Sequence, residues 1–312
     1  MASATNQSSN ARFLDASEEP NQVLLPIRGY AKEPLLPLEE AAIKPIDDQL
    51  DDLDIMVDTA KRNSKKPADG LTSDESAAIH LYTMQWEEPN VSLYTKLNSI
   101  LRSKRREPLK PWFRYLKLVL TALFKLPSLK ATVWRGVRGN LTDQYDDDIV
   151  WWGFSSCTES MRVIEQFVGK SGVRTLFTIE CTSGKAIRAH SHYNEENEIL
   201  LLPGTYFRVV DKWSPAKDLY MIHLRETPPP RPFLEPPFAS ATSDTSIATA
   251  TATPVKENIA ISKAEGLPST AATVSSIKPK TYSSDPIGAR HTLSKGQSCD
   301  LYKFYRSKKD NN

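Results

Sequence analysis

A chain of 312 residues with 39% hydrophobic content is long enough to bury one sizeable core. Its formal charge of +2 is close to balance and leaves no overall nucleic-acid footprint, while three widely separated cysteines, Cys157, Cys181 and Cys299, support neither a disulfide framework nor a cysteine-based metal site. The start of the chain lacks the pattern of a secretory signal, and the longest apolar helix candidate, 115–126, is too short for a bilayer and contains Lys117 and Lys125, so a soluble, cytoplasmic protein in a reducing compartment is expected.

All six tryptophans lie between Trp86 and Trp213, and ten of the 22 prolines follow residue 226. The core is therefore expected in the middle of the chain, with a tail on each side. Residues 1–70 mix Ser, Asn, Pro and acidic residues with short apolar patches. Proline argues against a continuous helix there, and the stretch 47–58 is too acidic for a core segment unless one face packs. The expectation is a partly ordered extension with one segment clasping the domain. Thr72, followed by Ser73, Asp74 and Glu75, starts a helix over about 72–86 with Ile79, Tyr82 and Trp86 on its apolar face. A second helix covers about 92–102, and the basic run 102–106 reads as its solvated end. A third covers 112–126, where Leu116, Val119, Leu120, Leu123 and Phe124 repeat at three and four.

After Pro127 the period changes to extended. Strands are expected over about 131–137, 149–156, 173–181, 185–189, 199–202, 205–210 and 219–225, with a short helix at 159–168. Helices followed by a block of short strands make an α+β fold. Residues 227–312 are rich in Pro, Ser, Thr, Ala and Lys, too poor in large apolar side chains to offset ordering entropy, and are expected to be disordered. Within them Pro228, Pro229, Pro230, Arg231 and Pro232 form a polyproline II pattern that suits an SH3- or WW-type partner, although such strings are also common in inert tails.

Three stretches place polar groups at strand ends. Glu196 and Glu198 stand two apart before the apolar run 199–202, so an extended chain would point both to one face and Asn197 away. A solvated turn reads equally well. Arg135 lies between Trp134 and Gly136 in a buried-looking strand, where a guanidinium needs an anionic partner, either a ligand or a structural carboxylate. Ser155 and Ser156, ahead of Cys157 and Thr158, either line a site or cap the helix that follows.

Taken together and in this order, the three stretches resemble the arginine, serine and glutamate signature of the arginine-specific mono-ADP-ribosyltransferases over roughly residues 72–226. The resemblance implies a two-sheet mixed β core after the N-terminal helices and a catalytic domain over 71–226. It also implies NAD, with NADP possible, as donor, no metal, and proteins with exposed arginine as acceptors. Arg135 matches the strand arginine that holds the cofactor through its pyrophosphate, and Gly136 the glycine that meets the nicotinamide amide. Ser156 matches the first serine of the Ser-Thr-Ser motif. Glu198 matches the catalytic glutamate, Glu196 the acid that goes with arginine as acceptor, and Tyr193 an aromatic in the loop that meets the target. Cys157 and Thr158 depart from the motif. His190 and His192 have no counterpart and read as surface or loop residues, since no convincing third ligand completes a metal site with them. An NAD glycohydrolase, and an inert interaction module on the strength of Cys157, are the competing readings.

Overall fold

Two helices form where proline and acidic content argued against them. In α1, Leu38–Ile46, the buried residues Leu38, Ala41, Ala42 and Ile46 make one stripe, and Pro45 falls in the last turn. In α2, Leu53–Asn63, Leu53, Val57 and Ala60 face inward while the acids face out, so one face packs, as the acidic run required. Helix α3, Ser73–Thr83, begins with the expected capping box between Thr72 and Glu75 and ends three residues short of Trp86. Trp86 instead lies in the connection, its backbone N–H donating to Ser92 Oγ at 2.8 Å. Helices α4, Leu93–Leu101, and α5, Phe113–Lys125, complete the layer.

The computed structural model describes residues 19–238 except 21, 88, 161, 163 and 165–170. The helix expected at 159–168, the tail beyond residue 238 and Cys299 therefore lie outside the described residues, apart from the few in 159–168 that remain.

Among the described residues seven strands follow the helices: β1 Leu129–Arg138, β2 Ile149–Trp151, β3 Ser155–Thr158, β4 Arg174–Ala186, β5 Glu198–Leu201, β6 Thr205–Ala216 and β7 Leu219–Glu226. Their order is β1-β3-β5-β4-β7-β6-β2, and β1 also pairs with β4. Only β4 and β7 pair in parallel, so the sheet is mixed. The two sheets expected are hydrogen-bonded into one network, because β1, β3, β5 and β4 close a ring around Val133, Cys157, Phe177, Ile179 and Ile199. The run 149–156 is broken at 152–154, and the strand expected at 185–189 is the end of β4 followed by loop. On the far side of β3 and β5, Phe154 and Leu200 join the helical core. These two short strands are thus packed on both faces.

The boundary expected at residue 226 is overrun. Ile27 N–H donates to Phe233 O at 2.8 Å and Glu235 N–H to Ile27 O at 3.0 Å, a parallel bridge between the two ends of the domain. Phe233 is buried with its ring 5.3 Å from that of Trp152. Gly204, at φ 80°, makes room for it, since a Cβ there would lie 3.0 Å from Phe233 Cβ. The basic run 102–106 is also not simply solvated. Arg102 is buried, and Arg106 donates from Nη2 to Leu25 O at 2.7 Å with its guanidinium 5.0 Å from the Trp152 ring.

Candidate active site

Strand register decides which of the singled-out side chains can meet. Across β3 and β5, Thr158 faces Glu198, Cys157 faces Ile199 and Ser156 faces Leu200. Directly opposed residues share a face and neighbours alternate, so Ser156, Thr158 and Glu198 line one side and Cys157 the other. Trp134 of β1 is paired with Thr158, which adds Trp134 and Gly136 to the side of Ser156 and Glu198. Arg135 belongs to the opposite face. It is fully buried, donates from Nη1 to Ser156 O at 2.6 Å, and lies 5.9 Å from the Trp151 ring. Reached by the backbone of Ser156 rather than by its side chain, the guanidinium braces β3 from beneath.

Ser156 is buried, yet its hydroxyl has no hydrogen-bond partner among the described residues. Buried polar atoms are nearly always paired, and an orphan hydroxyl on the face of a buried carboxylate suits an oxygen-rich ligand such as a ribose. Glu198 is fully buried and its Oε2 accepts from Ser191 Oγ at 3.3 Å. Thr158 Oγ1 donates to Glu196 O at 3.2 Å and accepts from Ser160 N–H at 3.1 Å. Its hydroxyl, preserved where the motif departs, therefore ties strand β3 to the segment before Glu198. Cys157 lies in the β core, where burial pushes its thiol up to about 12 against the pull of Arg135. It is a packed side chain rather than a disrupted site residue.

The geometry of the acid pair differs from the expectation. Residues 187–197 form a loop closed at its base by Ile187 N–H donating to Glu198 O at 3.1 Å. Glu196 N–H donates to Tyr193 O at 3.3 Å within a turn, and Asn197 is left-handed at φ 46°. The strand begins only at Glu198, so the alternation that would align Glu196 with Glu198 does not apply. Glu196 is half-buried at the edge of the loop, Glu198 at its root. Tyr193 is half-buried too, its ring 4.7 Å from that of His192 in an edge-on contact.

The histidines are not idle loop residues; they hold this loop to α3. His190 is buried, with Nδ1 2.9 Å from Ser76 Oγ and Nε2 3.2 Å from Asp69 Oδ2. His192 donates its backbone N–H to Thr83 Oγ1 at 2.8 Å, and its Nδ1 is 3.2 Å from His80 Nε2. A cavity of about 710 Å³, lined by Asn63, Asp69, His80, Arg188, His190 and Ser191 among others, opens beside the loop. Ser76, His80, Thr83 and Ser191 were not singled out from the sequence. Nothing in a chain marks partners more than a hundred residues apart, and only the dense run of polar residues around His190 hinted at a pinned loop. Among the described residues no group of three or more His, Cys, Asp or Glu is arranged for a metal ion, and no helix is long and apolar enough to cross a membrane.

Burial, and then the neighbouring His192, push His80 down to about 4, with its bond to the His190 backbone opposing. A depressed histidine stabilises the fold fully above its ordinary value of about 6.5 and loses that contribution as pH falls toward the folded value. A shift of this size is worth about 3 kcal/mol at most, and solvent in the adjoining cavity reduces that to roughly 1–2 kcal/mol. His80→Gln should therefore lose less melting temperature than the parent chain between pH 6.5 and 4.5. Equal losses would remove His80 from the account of acid sensitivity.

The α+β domain carries Ser156 and Glu198 on one face of the ring of strands β1, β3, β5 and β4. The family model for NAD:arginine ADP-ribosyltransferases matches residues 39–228, and the chain belongs to that family. Its activity is NAD-dependent ADP-ribosylation. Among solved structures it is similar to the ADP-ribosyltransferase Vis of Vibrio splendidus, solved with agmatine, at 20% identity over 64% of this chain and 90% of that one, with a TM-score of 0.42. HopU1 of Pseudomonas syringae is similar at 18% identity over 72% and 98%, TM-score 0.42. The eucaryotic mono-ADP-ribosyltransferase ART2.2 is similar at 17% identity over 67% and 98%, TM-score 0.43. No curated protein matches the chain.

Proposed function

We propose that the protein transfers ADP-ribose from NAD to arginine side chains of other proteins, with Glu198, Ser156 and Glu196 carrying the chemistry. The observation that supports this most is the fully buried carboxylate of Glu198 sharing a face with the unpartnered hydroxyl of Ser156. Breaking the nicotinamide–ribose bond sends its electron pair to the pyridinium ring and leaves positive charge on the ribose. Glu198 meets that charge, and Ser156 holds a ribose oxygen beside it. Gly136, on the same face, lets the nicotinamide amide approach the β1 backbone. Arg135 acts from the other face as a positioning residue, fixing Ser156 and adding positive potential for the anionic pyrophosphate.

The acceptor enters at the loop. Glu196, half-buried and beyond the strand, orients the incoming guanidinium and takes the proton released when its nitrogen bonds the ribose carbon. Tyr193 stands at the edge that meets the target protein. The catalytic domain includes residues 227–238, and the exposed prolines of 228–232, anchored by Phe233, form a docking segment for an SH3- or WW-type partner. Cys157 no longer favours an inert module, because its side chain packs in the β core. Incubation with labelled NAD and an arginine analogue tests the reading. Transfer is seen as labelled ADP-ribosyl-guanidine; free ADP-ribose as sole product would leave a glycohydrolase, and unconsumed NAD would overturn both.

A further inference from the structure

Residues 152–154 belong to no strand, yet side chains from two distant segments hold their backbone. Trp152 N–H donates to Glu19 Oε2 at 2.7 Å. Phe154 N–H donates to Asn98 Oδ1 at 2.9 Å, while Asn98 Nδ2 donates back to Phe154 O at 3.2 Å. Glu19 is itself held by Arg102, whose Nε donates to Oε1 at 2.6 Å, and the two side chains are 2% and 4% exposed. There is no slack around this bracket. A Cβ on Gly153 would lie 2.8 Å from Arg102 Nη2 and 3.1 Å from Asn98 Oδ1.

A buried ion pair is a poor source of stability, since taking two charges out of water costs about as much as their attraction returns. Its value lies in geometry. Phe154 precedes Ser156 by two residues, and β3 has only four residues in which to absorb an error. Arg135 pins the same strand from the opposite face through Ser156 O. The start of the strand is thus fixed by Glu19, Arg102 and Asn98, its middle by Arg135, and its end by Thr158.

We propose that Glu19 is a positioning residue for the reaction: together with Arg102 and Asn98 it sets residues 152–154, and through them the distance of Ser156 from Glu198. The proposal rests on Ser156 and Glu198 forming the active site. It makes the segment before α1 a working part of the enzyme rather than an appendage. An ångström of misplacement at a reacting group costs as much as about a hundredfold in rate, so removal of a bracket three residues away is expected to cost about tenfold.

The test uses the full chain and steady-state NAD cleavage. Glu19→Leu combined with Arg102→Met removes both charges, so no lone buried charge remains to unfold the domain. The pair is expected to melt within a few degrees of the parent, with kcat down about tenfold and KM for NAD changed less than about threefold. In a Ser156→Ala background the same pair should cost less than about twofold, because the group being positioned is gone. Parental kcat in the paired variant, or a second tenfold loss on top of Ser156→Ala, overturns the proposal. Should the paired variant not fold, Glu19→Gln keeps one acceptor oxygen at the same size and should lower kcat about threefold; no loss there overturns it as well. Full activity of Ser156→Ala alone would instead show that the site itself is misassigned, and the proposal would go with it.

Discussion

Glu198→Gln is expected to abolish transfer of ADP-ribose to arginine, lowering kcat about a thousandfold. The substitution preserves size and an oxygen for Ser191 to donate to, and removes the negative charge that meets the developing ribose cation. Electrostatic groups of this kind are worth about 3–4 kcal/mol in the transition state, which is the source of the figure. The variant should fold, since the buried site then holds a neutral amide in place of a charge. Steady-state labelling of an arginine analogue checks it, together with the melting temperature. Labelling at the parental rate would remove Glu198 from the chemistry, whatever its burial suggests.

Glu196→Gln is expected to separate two reactions that Glu198→Gln cannot. NAD cleavage with water as acceptor should stay within about threefold of the parent, while transfer to arginine falls about a hundredfold, the usual worth of a general base. The basis is the position of the residue. Glu196 lies in the turn outside β5, tied by its backbone carbonyl to Thr158, whereas Glu198 begins the strand. Equal loss of both reactions would mean that the two acids act as one unit. The assignment of donor side and acceptor side would then be abandoned.

How far the chain could be read in advance depends on whether the signal was local. The cap at Thr72 and the apolar stripe from Leu116 to Leu123 are local, and both helices form nearly where the spacing put them. So is the run ahead of Pro203, which becomes β5. The motif order led to the family. What failed was orientation. A period of two was applied across Glu196 and Asn197 before the strand had begun, and the left-handed Asn197 ends that alternation. Arg135, paired with Phe177 of β4, is turned toward the β core, an orientation that no local feature of the sequence marks. Arg102 and Arg106 read as solvated because nothing near them in sequence asks for a buried cation; their partners, Glu19 and Leu25, lie some eighty residues earlier. The pinning of the loop by His190 and His192 depends likewise on α3, far upstream.

The parallel bridge between Ile27 and Leu234 also bears on how the protein is made. The segment that carries Glu19 and Ile27 is among the first parts of the domain to be synthesised, and residues 233–235, whose backbone Ile27 bonds, are among the last. Closing a loop of that length is slow and entropically costly, so the active site cannot be finished while the ribosome is still adding residues 227–238.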